Sequence, residues 1–253
     1  MTNEALRAAW KREERCAHIQ GWDFSHIEGR YEEENDLPWD YKSEILKRLS
    51  PDMRILDIDT GGGEFLLSLG HPYENTSCME GYPPNAELCK KTLSPLGIDF
   101  RAGNADRIPF ADESFDMVIN RHGDFNEREI HRALKKGGVF ITQQVGAYND
   151  RELVDLLYGK NAPVPFPDQT LEKARAKFEK AGFSIENAME HFGSIRFFEI
   201  GALVWFARII EWEFPAFTVD EFLPQIECAQ RQIEENSSVS GRTHRFLLIC
   251  KKL

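Results

Sequence analysis

Cysteine is scarce in this 253-residue chain, and basic charge is outnumbered by acidic. The five cysteines, Cys16, Cys78, Cys89, Cys228 and Cys250, are odd in number and never spaced C-x-x-C. That pattern excludes a disulfide framework and a zinc ribbon, and it suits a reducing, cytoplasmic setting. No metal site is expected, because His18, His26, His71, His191 and His244 lack ligand-like spacing. The longest apolar run, Ile200 to Ile210, is broken by Arg208 and too short to span a bilayer. Met1 to Arg15 alternates charge and has no apolar stretch of the secretory kind. With 31 Lys and Arg against 42 Asp and Glu, the net charge of −11 argues against a nucleic-acid partner.

What remains is the composition of a globular protein, 42% hydrophobic and 29% charged. The middle of the chain alternates short apolar runs with helical patterns, the α/β signature. Strands are expected at Arg54 to Ile58, Ser77 to Glu80, Asp99 to Arg101, Phe115 to Asn120 and Val139 to Gln143. Helices are expected at Glu64 to Leu69, at Pro83 to Leu93, and at Asn126 to Lys136, the last ended by Gly137-Gly138. Beyond these come a helix at Thr170 to Ala181, an apolar helix around Gly201 to Ile210, and strands near Glu186 to His191 and Arg245 to Cys250. The expected organisation is an N-terminal helical and aromatic lid over 1–50, which includes Trp22, and a ligand-binding domain over 51–253. An insertion at about 193–240 is expected to fold over the active end of the sheet.

Ile55-Leu56-Asp57-Ile58-Asp59-Thr60-Gly61-Gly62-Gly63-Glu64-Phe65-Leu66 reads as strand, glycine-rich turn and helix start. Such a turn admits a ligand close to the backbone and aims helix N–H groups at it. The dinucleotide pattern G-x-G-x-x-G fails, since position 66 is Leu66. The stretch resembles the first motif of class I S-adenosylmethionine-dependent methyltransferases, D/E-x-G-x-G-x-G, with Asp59 in place of the first glycine. The resemblance continues at Glu80, which closes the next strand 23 residues after Asp57. In that family the corresponding acid holds both ribose hydroxyls, a task that suits one carboxylate. Gly103-Asn104-Ala105-Asp106-Arg107-Ile108-Pro109-Phe110 resembles the adenine-binding turn, with Asn104 keeping a carbonyl acceptor. Asp112-Glu113-Ser114-Phe115-Asp116-Met117-Val118 and His131-Arg132-Ala133-Leu134-Lys135-Lys136-Gly137-Gly138 match the runs before the fourth and fifth strands. Five motifs in order are specific, and the chain looks most like the type 11, small-molecule group.

The resemblance implies a Rossmann-like class I methyltransferase fold, with a central, mostly parallel seven-stranded sheet. It also implies S-adenosyl-L-methionine as cofactor and an unidentified small-molecule acceptor. Asp57, Asp59, Thr60, Gly61, Gly63, Glu80, Gly81, Tyr82, Asn104, Ala105, Asn120 and Arg121 are the expected cofactor-binding residues. A sulfonium methyl is already activated, so alignment and water exclusion carry most of the catalysis. His122, just beyond the fourth strand, is the expected general base. Trp39, Tyr41 and Phe125 are expected near the substrate. An RNA base methyltransferase and a non-catalytic S-adenosylmethionine-binding protein are the rival readings. Asp59 keeps the second of them alive.

Overall fold

The computed structural model describes residues 3–18, 23–34 and 36–253; Trp22 lies outside them. The chain forms two compact units, one comprising 37–146, 168–190 and 245–253, the other 1–36, 147–167 and 191–244. The expected lid segment 1–50 is thus divided between them.

The first unit is built on a seven-stranded sheet. Its strands are β1 (Ile55–Ile58), β2 (Thr76–Glu80), β3 (Asp99–Ala102), β4 (Phe115–Arg121), β5 (Leu134–Val145), β6 (Phe183–His191) and β7 (Arg245–Lys252). They lie in the order β3-β2-β1-β4-β5-β7-β6. The pairs β1–β2, β2–β3, β1–β4 and β4–β5 are parallel, and β7 runs antiparallel to β5. This is the Rossmann-like class I methyltransferase fold. The helices of this unit are α1 (Tyr41–Leu46), α2 (Glu64–Ser68), α3 (Pro83–Thr92), α4 (Glu127–Ala133) and α5 (Leu171–Lys180).

Alternation along the central strands sorts their side chains onto two apolar layers. Ile55, Met117, Ile119 and Ile141 join Trp39, Tyr41, Ile45, Leu66 and Leu93 on one face. Leu56, Ile58, Val118 and Phe140 join Ile130, Phe178 and Phe246 on the other. Both faces are covered, which is why these strands read as apolar runs.

One element departs from expectation. The helix beginning after Asn126 ends at Ala133, not Lys136, and Gly137-Gly138 lie within β5. Asn126 caps the start, accepting hydrogen bonds from the Arg128 and Glu129 amides. At the other end Leu134, fully buried, pairs with Phe115, and Lys135 binds the Asp116 carboxylate at 2.7 Å. Strand pairing overrides the helical preference of Leu-Lys-Lys. The left-handed φ of +77° at Gly137 serves an irregularity in the strand rather than a helix cap.

The second unit packs helices Asn3–Cys16, Arg151–Tyr158, Ile200–Ile209 and Leu223–Asn236 with a three-stranded antiparallel sheet. That sheet comprises Tyr31–Glu33, Ser194–Phe197 and Val239–Arg242. Trp205, Phe206 and Phe214 are buried in its core, while Trp212 is 44% exposed. All five thiols are free. Among the described residues no helix is long and apolar enough to cross a membrane.

Candidate functional site

In an open parallel sheet the strand order reverses between β1 and β4, and ligands bind beyond the carboxyl ends there. The glycine turn leaves β1 at that place. Its geometry is set by left-handed residues, Asp59 at φ 54°, Gly61 at 63° and Gly63 at 87°. Glycine is favoured at 63 for a second reason, since a Cβ there would stand 2.6 Å from the Leu93 side chain. At Gly61 a Cβ would meet nothing within 4 Å, so the backbone borders an open cradle.

Glu80 closes β2 beside that cradle and is 5% exposed. Its Oε2 accepts the Gly61 amide at 2.9 Å, and its Oε1 accepts the Tyr82 amide at 2.8 Å. Each carboxylate oxygen has lone pairs left for vicinal hydroxyls. The Gly61 carbonyl accepts from Cys89 Sγ at 3.1 Å, tying the turn to α3. Gly81 is exposed, and a Cβ on it would lie 2.9 Å from the Gly103 carbonyl, which brings the β2 and β3 turns together. Tyr82 is 62% exposed at the start of α3, its ring available to cover a ligand. Asn104 is exposed on the next turn, while Ala105 is buried beneath it.

Asp57 lies behind the turn, where Thr60 Oγ1 donates to its Oδ2 at 2.7 Å. Burial pushes the Asp57 carboxyl up to about 7, opposed by the Thr60 bond and the Arg121 charge. Asp59 sits further forward. Burial first, then the charges of Glu80 and Asp124, raise it to about 6, although the Asp124 amide donates to it. The Asp59 Oδ2 lies 2.6 Å from the place a Cβ on Gly123 would occupy, so the two turns approach closely.

Not every expected ligand residue faces the cradle. Asn120 is completely buried: Nδ2 donates to the Ile58 carbonyl at 3.1 Å, and Oδ1 accepts from Thr142 and Gln144 at 3.2 and 2.6 Å. It clamps β4 between β1 and β5. Tyr41 is also enclosed, its hydroxyl donating to the Asn120 carbonyl at 2.9 Å. Trp39 is 7% exposed and donates its indole N–H to Gln143 Oε1 at 2.8 Å. Arg121 is exposed, with its guanidinium over the Phe65 ring at 4.5 Å from the centroid. Phe125 packs on Phe140 and Phe178 and lines a cavity of ≈ 80 Å³ with Asp124, Gln169 and Lys177.

His122 has a left-handed φ of 62°, and its amide donates to the Gln143 carbonyl at 2.9 Å. His122 is an exposed residue, but desolvation of its imidazole by the surrounding protein, then the Arg245 and Arg121 charges, push its pKa down to about 3. Its Nε2 stands 3.2 Å from Gln143 Nε2. Gln143 carried no sequence signal beyond its place on β5.

The second unit holds a cluster that spacing does not reveal. Glu13, Cys16 and His26 bring ligand-type atoms within 4.8 Å of one another. His26 Nε2 lies 2.7 Å from Glu13 Oε2, and Arg30 donates to Glu13 Oε1 at 2.8 Å, so Glu13 already faces a cation.

Comparison with known proteins agrees with this architecture. Residues 56–142 match the family described as a methyltransferase domain. The phthiotriol/phenolphthiotriol dimycocerosates methyltransferase of Mycobacterium tuberculosis strain H37Rv is 36% identical over 87 residues, 32% of either chain. The chain therefore spans about a third of the length of these mycobacterial relatives. Demethylmenaquinone methyltransferase of Chlorobaculum parvum is 29% identical over 152 residues, 55% of this chain and 59% of that one. Among solved structures, a functionally unknown protein from Deinococcus radiodurans R1 aligns over 97% of this chain and 100% of its own. Its TM-score is 0.58 at 13% identity. The YcgJ protein of Bacillus subtilis aligns over 84% of this chain and 97% of its own, with TM-score 0.54 at 17% identity. At these identities the structures share the fold.

Proposed function

We propose that this chain, whose residues 56–142 match the family described as a methyltransferase domain, moves a methyl group from S-adenosyl-L-methionine to a small-molecule acceptor. The single observation that carries the reading is Glu80, held by two backbone amides beside the open cradle at Gly61. That carboxylate suits vicinal ribose hydroxyls, and the exposed Tyr82 ring suits the adenine face. Asn104 offers a carbonyl to the adenine amino group, and Asp59 offers a negative charge to the cationic methionine end. The bound cofactor would supply an electrophilic methyl. The protein's part is to orient the acceptor in line and exclude water.

An acceptor other than a nucleic acid is supported by the acidic net charge and by the names of the relatives, which specify phthiotriol dimycocerosates and demethylmenaquinone. The free thiols support a reducing, cytoplasmic setting. Calorimetric titration with S-adenosylmethionine, and separately with S-adenosylhomocysteine, tests the proposal. Binding in the micromolar range, about −8 kcal/mol, is expected for both. Absence of heat and of thermal stabilisation with either ligand overturns it.

A further inference from the structure

Trp39, Gln143 and His122 form a chain of hydrogen bonds in which each polarity is forced. An indole N–H can only donate, so the Gln143 oxygen must face Trp39, at 2.8 Å. The Gln143 amide nitrogen is thereby turned toward His122, 3.2 Å from its Nε2. An NH2 group also can only donate. His122 Nε2 must therefore accept and carry no proton, which leaves the proton of the neutral ring on Nδ1.

The position of Gln143 is itself fixed. It pairs in register with Arg121 across β4 and β5, is 8% exposed, and its carbonyl holds the His122 amide. Protonating the ring would set N–H against NH2, with Arg121 and Arg245 adding like charge. These three groups reinforce one state: a neutral imidazole whose only lone pair is already used.

From this we propose that the Trp39–Gln143 pair locks His122 as a hydrogen-bond donor through Nδ1. The turn after β4, which also carries the Asp124 carboxylate, then presents that one donor to an anionic oxygen, a carboxylate or phosphate. The ligand assignment rests on the methyltransferase reading above; the tautomer does not. His122 accordingly binds and orients, and it has no lone pair with which to abstract a proton. Gln143 and Trp39 are positioning residues that act through it.

Nitrogen-15 correlation spectra of the imidazole distinguish protonated from bare ring nitrogens. In the free protein His122 should show Nδ1 protonated and Nε2 bare at neutral pH and below. Gln143→Glu presents an acceptor instead and should move a proton onto Nε2. Gln143→Met removes the donor with little change of volume and should give a mixture of tautomers. An imidazolium or an Nε2–H ring in the wild type overturns the lock, as do identical spectra in the wild type and both variants.

The subsite is read by the Nδ1 resonance on adding S-adenosylhomocysteine, then sodium acetate. A shift with the nucleoside alone assigns the subsite to the cofactor's own carboxylate. A shift only with acetate assigns it to the acceptor. Acetate binding should weaken about tenfold in His122→Phe, the worth of one hydrogen bond to a charged group. If Nδ1 responds to neither ligand although S-adenosylhomocysteine binds, the subsite is refuted and the methyltransferase reading survives. Failure of S-adenosylhomocysteine to bind refutes that reading and leaves the tautomer intact.

Discussion

Asn120 Oδ1 accepts a hydrogen bond from Gln144 Nε2 at 2.6 Å, with both residues closed off from solvent. Asn120 Nδ2 in turn donates to the Ile58 carbonyl at 3.1 Å, so the Asn120 side chain joins β1, β4 and β5 where the cofactor turn begins. Asn120→Ala should cost about 2–3 kcal/mol, because it strands the buried partners of both bonds. Urea unfolding measures the loss. A change below about 0.5 kcal/mol would show that the clamp contributes no stability.

Glu80→Ala should leave the fold in place and weaken S-adenosylhomocysteine binding about 10- to 100-fold. This is the range expected when charge-assisted hydrogen bonds worth about 1.5–3 kcal/mol are lost. Isothermal calorimetry beside a circular dichroism spectrum separates loss of ligand from loss of fold. Unchanged affinity would remove Glu80 from the site.

Gly61 and Gly63 should respond differently to alanine. Both have left-handed φ, so each substitution costs about 1 kcal/mol in backbone strain. At Gly63 the new methyl also meets Leu93 at 2.6 Å, which adds overpacking worth about 1–3 kcal/mol. At Gly61 the methyl enters the open cradle instead. Gly61→Ala should thus lower affinity more than stability, and Gly63→Ala the reverse. Thermal melts with and without S-adenosylhomocysteine resolve the two effects.

The acidic turn predicts a pH dependence. Folding raises Asp57 to about 7 and Asp59 to about 6, from about 3.9 in an unfolded chain. The folded state thus binds more protons than the unfolded between about pH 4 and 7, and stability contributed by these groups falls as pH rises through that window. Asp59→Asn should flatten its lower part. Cofactor binding runs the other way: S-adenosylmethionine, cationic overall, should gain affinity as these carboxylates ionise, and the neutral product should gain less. Titrations at pH 5, 6 and 8 check the sign; equal gains for both ligands would exclude a contact between Asp59 and the sulfonium, because the product keeps the ammonium but not that charge.

Local chemistry determined most of the fold. Apolar runs bounded by turn residues specified β1, β4 and the middle of β5, because strands covered on both faces need no polar alternation. The glycine turn and Glu80 were legible for a similar reason: left-handed φ and a carboxylate at a strand end each demand particular residue types. Tertiary pairing decided the rest. Leu134-Lys135-Lys136 reads as helix and folds as strand, since Phe115 and Asp116 reward extension. Asn120 reads as a ligand residue and is buried as a clamp, because its partners Thr142 and Gln144 are 22 and 24 residues away in sequence. The state of His122 rests on Trp39, 83 positions earlier, through Gln143. Sequence fixes which groups can donate and accept, but only the folded chain brings them within reach, and that meeting sets what each one does.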